Sequence, residues 1–144
     1  MRTMLRVVTA LCLFLCIGGN VGAKDTVKIG LITPLTGDVK TYGESVKNAF
    51  NIAVEEYGKK GKYTIQTAMA DDRNDATEGA NAALKLITQD KVTAIVGPVT
   101  SKVAIPVSEI ATQHKVPTVT GTATNPKVTF SDGKRKSYVF RACF

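Results

Sequence analysis

The chain has 144 residues, a formal net charge of +7 and 44% hydrophobic residues, enough to bury one core of ordinary size. No repeat or low-complexity tract indicates a second domain. The basic residues are scattered, and their one run, Lys134-Arg135-Lys136, has no aromatic residues interleaved for stacking on bases. The composition therefore argues against nucleic-acid binding, and we expect this run to be a solvated loop.

Residues 1–23 have the pattern of a secretory signal peptide. Two arginines precede a short apolar stretch at 7–17, and small residues at 21–23 predict cleavage after Ala23. The apolar stretch is short for a membrane span, so an uncleaved anchor is the less favoured alternative. A leucine precedes Cys16, where a lipoprotein signal needs a small residue, and this argues against a lipid anchor. We therefore expect export.

Cleavage would leave residues 24–144 with few groups able to bind a metal. Two of the three cysteines leave with the signal, so Cys143 remains and no intrachain disulfide is expected. The loss of Arg2 and Arg6, with no acidic residue, lowers the net charge from +7 to +5. His114 is the single histidine, so a zinc site or a Cys–His nucleophile is not expected, nor is any cofactor.

Apolar periodicity predicts alternating strands and helices along residues 24–144. Apolar or alternating runs predict strands at 27–33, 63–70, 92–96 and 116–119, and a fifth beginning near Tyr138. Helical spacing predicts a helix from about Gly43 to Gly58, a second capped by Asp75 with an apolar stripe to Ile87, and a third along 103–114. This order predicts an α/β fold with a doubly wound parallel sheet.

Two local features refine these expectations. Pro106 would break an established helix, so the third helix should begin only a residue or two before it, leaving 100–102 as a loop or first turn with exposed amides. Asp75 with Glu78 three residues on resembles a capping box. The chain closes on 139–144, a strand pattern with no turn or cap behind it, so the predicted lobe looks interrupted.

Small hydroxyl residues follow two predicted strands. Gly97-Pro98-Val99-Thr100-Ser101 follows the third strand and 120–126 follows the fourth. Ligands of open parallel sheets bind at the edge where such strand ends meet. The free amides at a helix start also attract an anion, such as a phosphate or a carboxylate. Ser101 could equally be a helix-cap serine, and capping is compatible with ligand binding here.

No catalytic constellation is visible. Ser101 lacks the G-x-S-x-G motif of a hydrolase nucleophile, and the glycines form no phosphate-binding fingerprint. Asp71-Asp72 could hold a metal or accept a phosphoryl group, but two solvated acids before a helix are expected instead. His114 is expected to stabilise the end of its helix, and Cys143 to be a small buried residue. The protein is therefore not expected to be an enzyme.

An ordered set of short motifs resembles the branched-chain amino-acid-type periplasmic binding proteins, the solute receptors of ABC importers. The set consists of Val27-Lys28-Ile29-Gly30, Pro34-Leu35-Thr36-Gly37, Tyr42-Gly43, Asp71-Asp72, Ile95-Val96-Gly97-Pro98, Ser101, Val116-Pro117, Ala123-Thr124-Asn125-Pro126 and Phe140-Arg141. Each motif is weak alone, but the order spans nearly all of 24–144. The resemblance implies a type I fold of two α/β lobes closing on a ligand, with this chain an incomplete, N-terminal part of the first lobe.

The resemblance also implies roles for individual residues. Ser101 and the neighbouring amides would hold a ligand carboxylate. The loop of Thr122, Ala123 and Thr124 would offer a backbone carbonyl and a threonine hydroxyl to an ammonium group, and the aromatic ring of Tyr42 would lie against the ligand. A cysteine pair of some members is absent, with a threonine at position 100, and the pocket residues of the second lobe are not in this chain.

These roles imply a periplasmic receptor, expected to be a monomer, that binds an amino acid, in the first place a branched-chain one. It would deliver this ligand to the membrane subunits of an ABC importer. A second hypothesis is a receptor or sensor of the same fold for an amide, urea or an aromatic acid. A secreted α/β enzyme is the third, and it lacks an acid–base pair.

Overall fold

Five parallel strands form the central sheet. The computed structural model describes residues 25–143, so the predicted signal segment 1–23 lies outside the described residues. The strands are β1 (Thr26–Thr33), β2 (Thr64–Asp71), β3 (Ala94–Val96), β4 (Thr118–Thr120), β5 (Phe130–Ser131), β6 (Lys134–Arg135) and β7 (Val139–Arg141). The helices are α1 (Lys40–Lys60), α2 (Ala76–Thr88) and α3 (Ser101–His114). The strands of the central sheet lie in the order β2-β1-β3-β4-β7, which confirms the predicted doubly wound sheet.

Alternate residues of β1 face two different helical layers. Ile32 is fully buried in one cluster with α2 and α3, which includes Leu86 and Val103. Thr33 points the other way, and its hydroxyl donates to the carbonyl of Gly43 in α1 at 3.3 Å. Because strand side chains alternate, α2 and α3 cover one face of the sheet and the start of α1 covers the other.

Among the predicted boundaries, those of α1 and β3 shift for local reasons. Helix α1 begins at Lys40, before Gly43, and it runs through Gly58 to Lys60, with Gly61 as an extended C-cap. Strand β3 begins at Ala94 instead of Val92. The side chain of Val92 is buried, but its amide donates to Leu86 at the end of α2, so Val92 belongs to the turn.

Helix α3 begins at Ser101, so the predicted start a residue or two before Pro106 is wrong, and Ser101 and Lys102 form the first turn that was the alternative to a loop. The amides of Val103 and Ala104 already donate to the carbonyl of Thr100, which closes the first turn before Pro106. Proline costs about 3 kcal/mol in a helix interior, whereas each buried aliphatic side chain contributes about 1.5–3 kcal/mol. Burial of several apolar side chains along α3, including Val103, outweighs the loss at Pro106.

Between β4 and β7 the chain forms a short strap, defined here as residues 126–136. It begins with a 3₁₀ turn at Pro126–Val128 and continues as the antiparallel hairpin of β5 and β6. Lys134 and Arg135 are exposed, as expected of a solvated loop. The same expectation is wrong for Lys136, whose side chain is 3% exposed and forms an ion pair with Glu109 of α3. A charge run gives no information about which of its members a neighbouring helix will cover.

Asp75 caps α2, as predicted. Its carboxylate accepts hydrogen bonds from the amides of Thr77 at 2.8 Å and Glu78 at 3.1 Å. The amide of Asp75 donates to the carbonyl of Asp72 at 2.7 Å, so Glu78 does not complete the box. Within residues 25–143, no helix is long and apolar enough to cross a membrane.

Close packing of α2 on α3 depends on Gly79, because a Cβ atom there would lie 2.2 Å from Cγ1 of Val103. We expect Gly79→Ala to destabilise the protein by about 1–2 kcal/mol, since overlap in a tight core exceeds the gain of about 1 kcal/mol in helix propensity. Gly58→Ala is the matched control, because a Cβ atom at position 58 of α1 meets nothing within 4 Å. Urea denaturation should show Gly58→Ala stabilised by about 0.5–1 kcal/mol. Equal stability of the two variants would contradict the packing argument.

Candidate functional site

The loops after β3 and β4 lie together at the carboxyl edge of the sheet. The hydroxyl of Thr120 donates to the carbonyl of Pro98 at 2.6 Å, and the hydroxyl of Thr122 donates to Val99 at 2.6 Å. Gly97 has a φ of +99°, and a Cβ atom there would lie 2.0 Å from the carbonyl oxygen of Ile32. The two loops thus form one polar surface beside the end of β1.

Ser101 is the first residue of α3, and its hydroxyl does not cap the helix. Its Oγ accepts a hydrogen bond from the amide of Asn125 at 3.1 Å, which leaves the hydroxyl proton for another acceptor. Thr100 occupies the N-cap position but donates to Oδ1 of Asn74 at 2.7 Å, away from the helix amides. In the part of the chain that is described, the amides of Ser101 and Lys102 have no hydrogen-bond acceptor. The helix therefore begins with two free donors beside the Ser101 hydroxyl.

The loop 122–124 is held from several sides. Ala123 is buried, and its amide donates to Oγ1 of Thr120 at 3.2 Å. The carbonyl of Thr124 accepts a hydrogen bond from the Arg141 guanidinium, and the carbonyl of Ala123 lies 3.6 Å from Sγ of Cys143. The Thr122 hydroxyl already donates to Val99, whereas the Thr124 hydroxyl has no hydrogen-bond partner among residues 25–143.

Tyr42 lies in the first turn of α1 and is 68% exposed. The start of α1 is fixed against the end of β1, since a Cβ atom on Gly43 would overlap the carbonyl oxygen of Pro34. One turn further on, Val46 lines a shallow apolar depression of about 180 Å³ that Thr122 also lines. The structure therefore brings Ser101 and the 122–124 loop together and places Tyr42 one helical turn from the depression.

Asp71 organises the turn that follows β2. Its carboxylate accepts from the amide of Leu35 at 2.8 Å, the hydroxyl of Thr36 at 2.6 Å and the amide of Arg73 at 2.9 Å. Burial alone would raise the pKa of Asp71, but these hydrogen bonds favour the charged form and lower it.

Asp72 is 1% exposed, so the expectation of two solvated acids is wrong for this residue. Its Oδ1 accepts from the amide of Asn74 at 2.8 Å, while Oδ2 has no partner within residues 25–143. Burial raises the pKa of Asp72, and the nearby Asp71 charge adds to this effect. The side chain of Asp72 thus shapes the turn that presents Asn74 to Thr100.

No group of three histidine, cysteine, aspartate or glutamate side chains able to hold a metal ion occurs among the described residues. Sequence reasoning missed three residues that organise the site: Thr120, Asn74 and Asn125. One signal was available, because Asn125 precedes a proline and such a pair favours a turn; its side chain caps the turn at Pro126–Val128. Nothing local indicates that Asn74 will meet Thr100, since their contact joins two separate loops.

Comparison with known families decides the identity of this fold. The family model described as "Periplasmic binding protein" matches residues 26–143. The chain belongs to this family. Its curated relatives include a Leu/Ile/Val-binding protein of Rhizobium johnstonii, which is 45% identical over 110 residues. This match covers 74% of the present chain and 30% of the relative, so the chain spans about a third of the length of that protein.

Solved structures share the architecture and differ in their ligands. A leucine-binding protein of Thermotoga maritima is 38% identical with a TM-score of 0.73, and the match covers 82% of this chain and 33% of that one. The LivJ protein of Streptococcus pneumoniae, solved with isoleucine, is 30% identical with a TM-score of 0.77, covering 83% and 34%. A solute-binding protein of Rhodopseudomonas palustris, solved with 3,4-dihydroxybenzoic acid, is also 30% identical, with a TM-score of 0.73, covering 81% and 31%. The present sheet is therefore part of a type I periplasmic binding protein lobe.

The two neighbouring aspartates predict opposite contributions to pH-dependent stability. Because the pKa of Asp72 is raised, the folded state binds more protons than the unfolded state between the ordinary aspartate pKa and the raised one. Stability therefore falls as pH rises through this range. Because the pKa of Asp71 is lowered, the unfolded state binds more protons below the ordinary pKa, and stability rises with pH there.

We expect the stability of Asp72→Asn, relative to the wild type, to increase as pH rises from the ordinary aspartate pKa to the raised pKa of Asp72. The stability of Asp71→Asn, the matched control, should decrease relative to the wild type as pH rises from the lowered pKa of Asp71 to the ordinary aspartate pKa. Urea denaturation from about pH 3 to pH 7 measures both trends. The same trend in both variants would contradict the assignment.

Proposed function

We propose that this chain is part of the first lobe of an extracytoplasmic receptor that binds a branched-chain amino acid and delivers it to an ABC importer. The observation that carries the proposal is the Ser101 hydroxyl, which accepts a hydrogen bond from Asn125 and keeps its own proton beside two free helix amides. The names of the Rhizobium and Thermotoga proteins support the amino-acid class.

The helix start provides the chemistry for a carboxylate. Two backbone amides and one hydroxyl converge there, at the positive end of the α3 dipole. Thr100 does not compete for the amides, because Asn74 accepts its hydroxyl proton. A ligand carboxylate would accept from Ser101 and from the amides without displacing a protein group.

The 122–124 loop provides acceptors for an ammonium group. The Thr124 hydroxyl can accept, and among the described residues the Ala123 carbonyl accepts only from a weak thiol donor, Cys143, at 3.6 Å. The Thr122 hydroxyl fixes the loop against Val99, so its part is to position the loop. Tyr42, exposed on α1, would lie against the apolar part of the ligand.

The remaining steps concern the whole protein. We propose that residues 1–23 direct export to the periplasm and are removed after Ala23. A second lobe would close over the ligand, and the closed monomer would engage the importer's membrane subunits. No catalysis and no nucleic-acid partner are part of this function.

A receptor for an aromatic acid is the second candidate, and the Rhodopseudomonas structure with 3,4-dihydroxybenzoic acid supports it. The carboxylate would occupy the same helix start. An aromatic acid needs no ammonium acceptor, so titration of the full-length receptor with L-leucine and with 3,4-dihydroxybenzoate separates the two ligands.

We expect the 144-residue chain by itself to bind L-leucine more weakly than micromolar. A small ligand gains affinity when most of its surface is buried, whereas the polar surface beside β3 and β4 contacts it from one side. Titration calorimetry measures this directly. Micromolar or tighter binding of any amino acid by the chain alone would contradict the proposed second binding surface.

In the full-length receptor, we expect Ser101→Ala to weaken L-leucine binding by about ten- to a hundredfold. A hydrogen bond to a charged group contributes about 1.5–3 kcal/mol, and about 1.4 kcal/mol corresponds to a tenfold change. Calorimetry gives the affinity, and thermal unfolding of the same samples gives the stability.

Thr112→Val is the matched control, since it removes a hydroxyl from the same helix at a position bonded to the carbonyl of Ser108. We expect its affinity to equal that of the wild type. Unchanged affinity in Ser101→Ala, with or without a lower melting temperature, would remove Ser101 from the site and the proposed amino-acid function with it.

A further inference from the structure

Lys136 is a buried cation that the proposed binding chemistry does not use. Its side chain is 3% exposed, and its ammonium group donates to Oγ of Ser108 at 2.7 Å and to the carbonyl of Lys127 at 2.9 Å. It also forms an ion pair with Glu109 at 2.5 Å. All three donor positions of the ammonium are therefore satisfied.

These partners join two separate parts of the chain. Ser108 and Glu109 lie in the middle of α3, while Lys127 lies in the 3₁₀ turn of the strap. The ammonium thus fixes the strap against the helix. Because a buried charge without its partners is costly, the ammonium group favours the arrangement in which the strap lies against α3 and supplies one of those partners.

The strap is also joined to the start of the same helix. The side chain of Asn125 accepts from the amide of Lys127 at 2.9 Å, and the amide of Asn125 donates to Oγ of Ser101 at 3.1 Å. A continuous path of hydrogen bonds therefore runs from Lys136 through Lys127 and Asn125 to Ser101. The donor at Asn125 occupies one lone pair of the Ser101 oxygen, so it restricts the directions in which this hydroxyl can point its proton.

We propose that Lys136 is a positioning residue for the ligand carboxylate: by fixing the strap to α3, it holds the Asn125 amide on Ser101 and orients the Ser101 hydroxyl toward the ligand. This inference rests on the proposed function of Ser101. The ammonium itself touches no ligand, and Glu109 compensates its charge.

The test is Lys136→Met in the full-length receptor, with L-leucine as the probe. Methionine keeps the buried apolar stem and removes the three polar contacts. We expect affinity to fall about tenfold in the wild-type background and less than about twofold in a Ser101→Ala background, because residues acting through one contact are not additive. Arg135→Met, the exposed neighbour on β6, is the matched control and should leave affinity unchanged.

A purely structural role of Lys136 gives a different result. Lys136→Met would then lower the melting temperature and leave affinity unchanged, or it would weaken binding equally in both backgrounds; either outcome overturns the inference. If Lys136→Met does not fold, Ser108→Ala removes one of the three partners and should give a smaller weakening with the same dependence on Ser101.

The same set of variants distinguishes failure of the proposed function from failure of the positioning inference. If Ser101→Ala alone leaves L-leucine binding unchanged, the carboxylate site fails and the positioning inference fails with it. If Ser101→Ala weakens binding while Lys136→Met and Ser108→Ala do not, the site stands and Lys136 has no positioning role.

Discussion

The hydroxyl of Thr120 is the contact on which the carboxyl edge of the sheet depends. It is buried, donates to Pro98 at 2.6 Å, and accepts from the amides of Thr122 at 3.4 Å and Ala123 at 3.2 Å. One oxygen atom thus joins the loop after β3 to the loop after β4. Without it, the buried carbonyl of Pro98 and two amides would each need another partner, and the loops would have no fixed separation.

Helix α3 carries the rest of the arrangement. Its start is bonded to Asn125 through Ser101, its middle holds the strap through Lys136, and its N-cap threonine is bonded to Asn74 of the turn after β2. The end of the loop after β4, the strap that continues from it and the turn after β2 are therefore all fixed to one rigid helix. The rigidity comes from the packing of α3 on α2, where Gly79 allows the two helices a close approach. A binding surface made of loops gains its precision from such a support.

The surface formed in this way presents free amide donors at the start of α3 and hydroxyl and carbonyl acceptors in the 122–124 loop, which we propose bind a carboxylate and an ammonium group. Carboxylate recognition suits amino acids and aromatic acids alike, and family members solved with isoleucine and with 3,4-dihydroxybenzoic acid share this fold. The proposed choice between these classes depends on the 122–124 loop and on a second surface that closes over it. Separate groups for carboxylate recognition and for the choice of ligand class would explain how one lobe architecture can serve receptors for different solutes.

The order of the three helices and the five strands of the main sheet, the parallel sheet and the Asp75 cap followed from the sequence, because periodicity and capping are local properties of neighbouring residues. The turn and hairpin of the strap were not predicted. The expected grouping of hydroxyl residues at one sheet edge followed from topology. Three other features did not follow from the sequence: the start of α3 at Ser101, the burial of Asp72 and Lys136, and the hydrogen bond of the Thr100 hydroxyl to Asn74. Each depends on contacts between segments distant in the chain, such as Lys136 with Ser108. The sequence by itself therefore determined the elements and the edge where they present polar groups, whereas the tertiary structure decided which of those groups are already bonded and which remain free to bind a ligand.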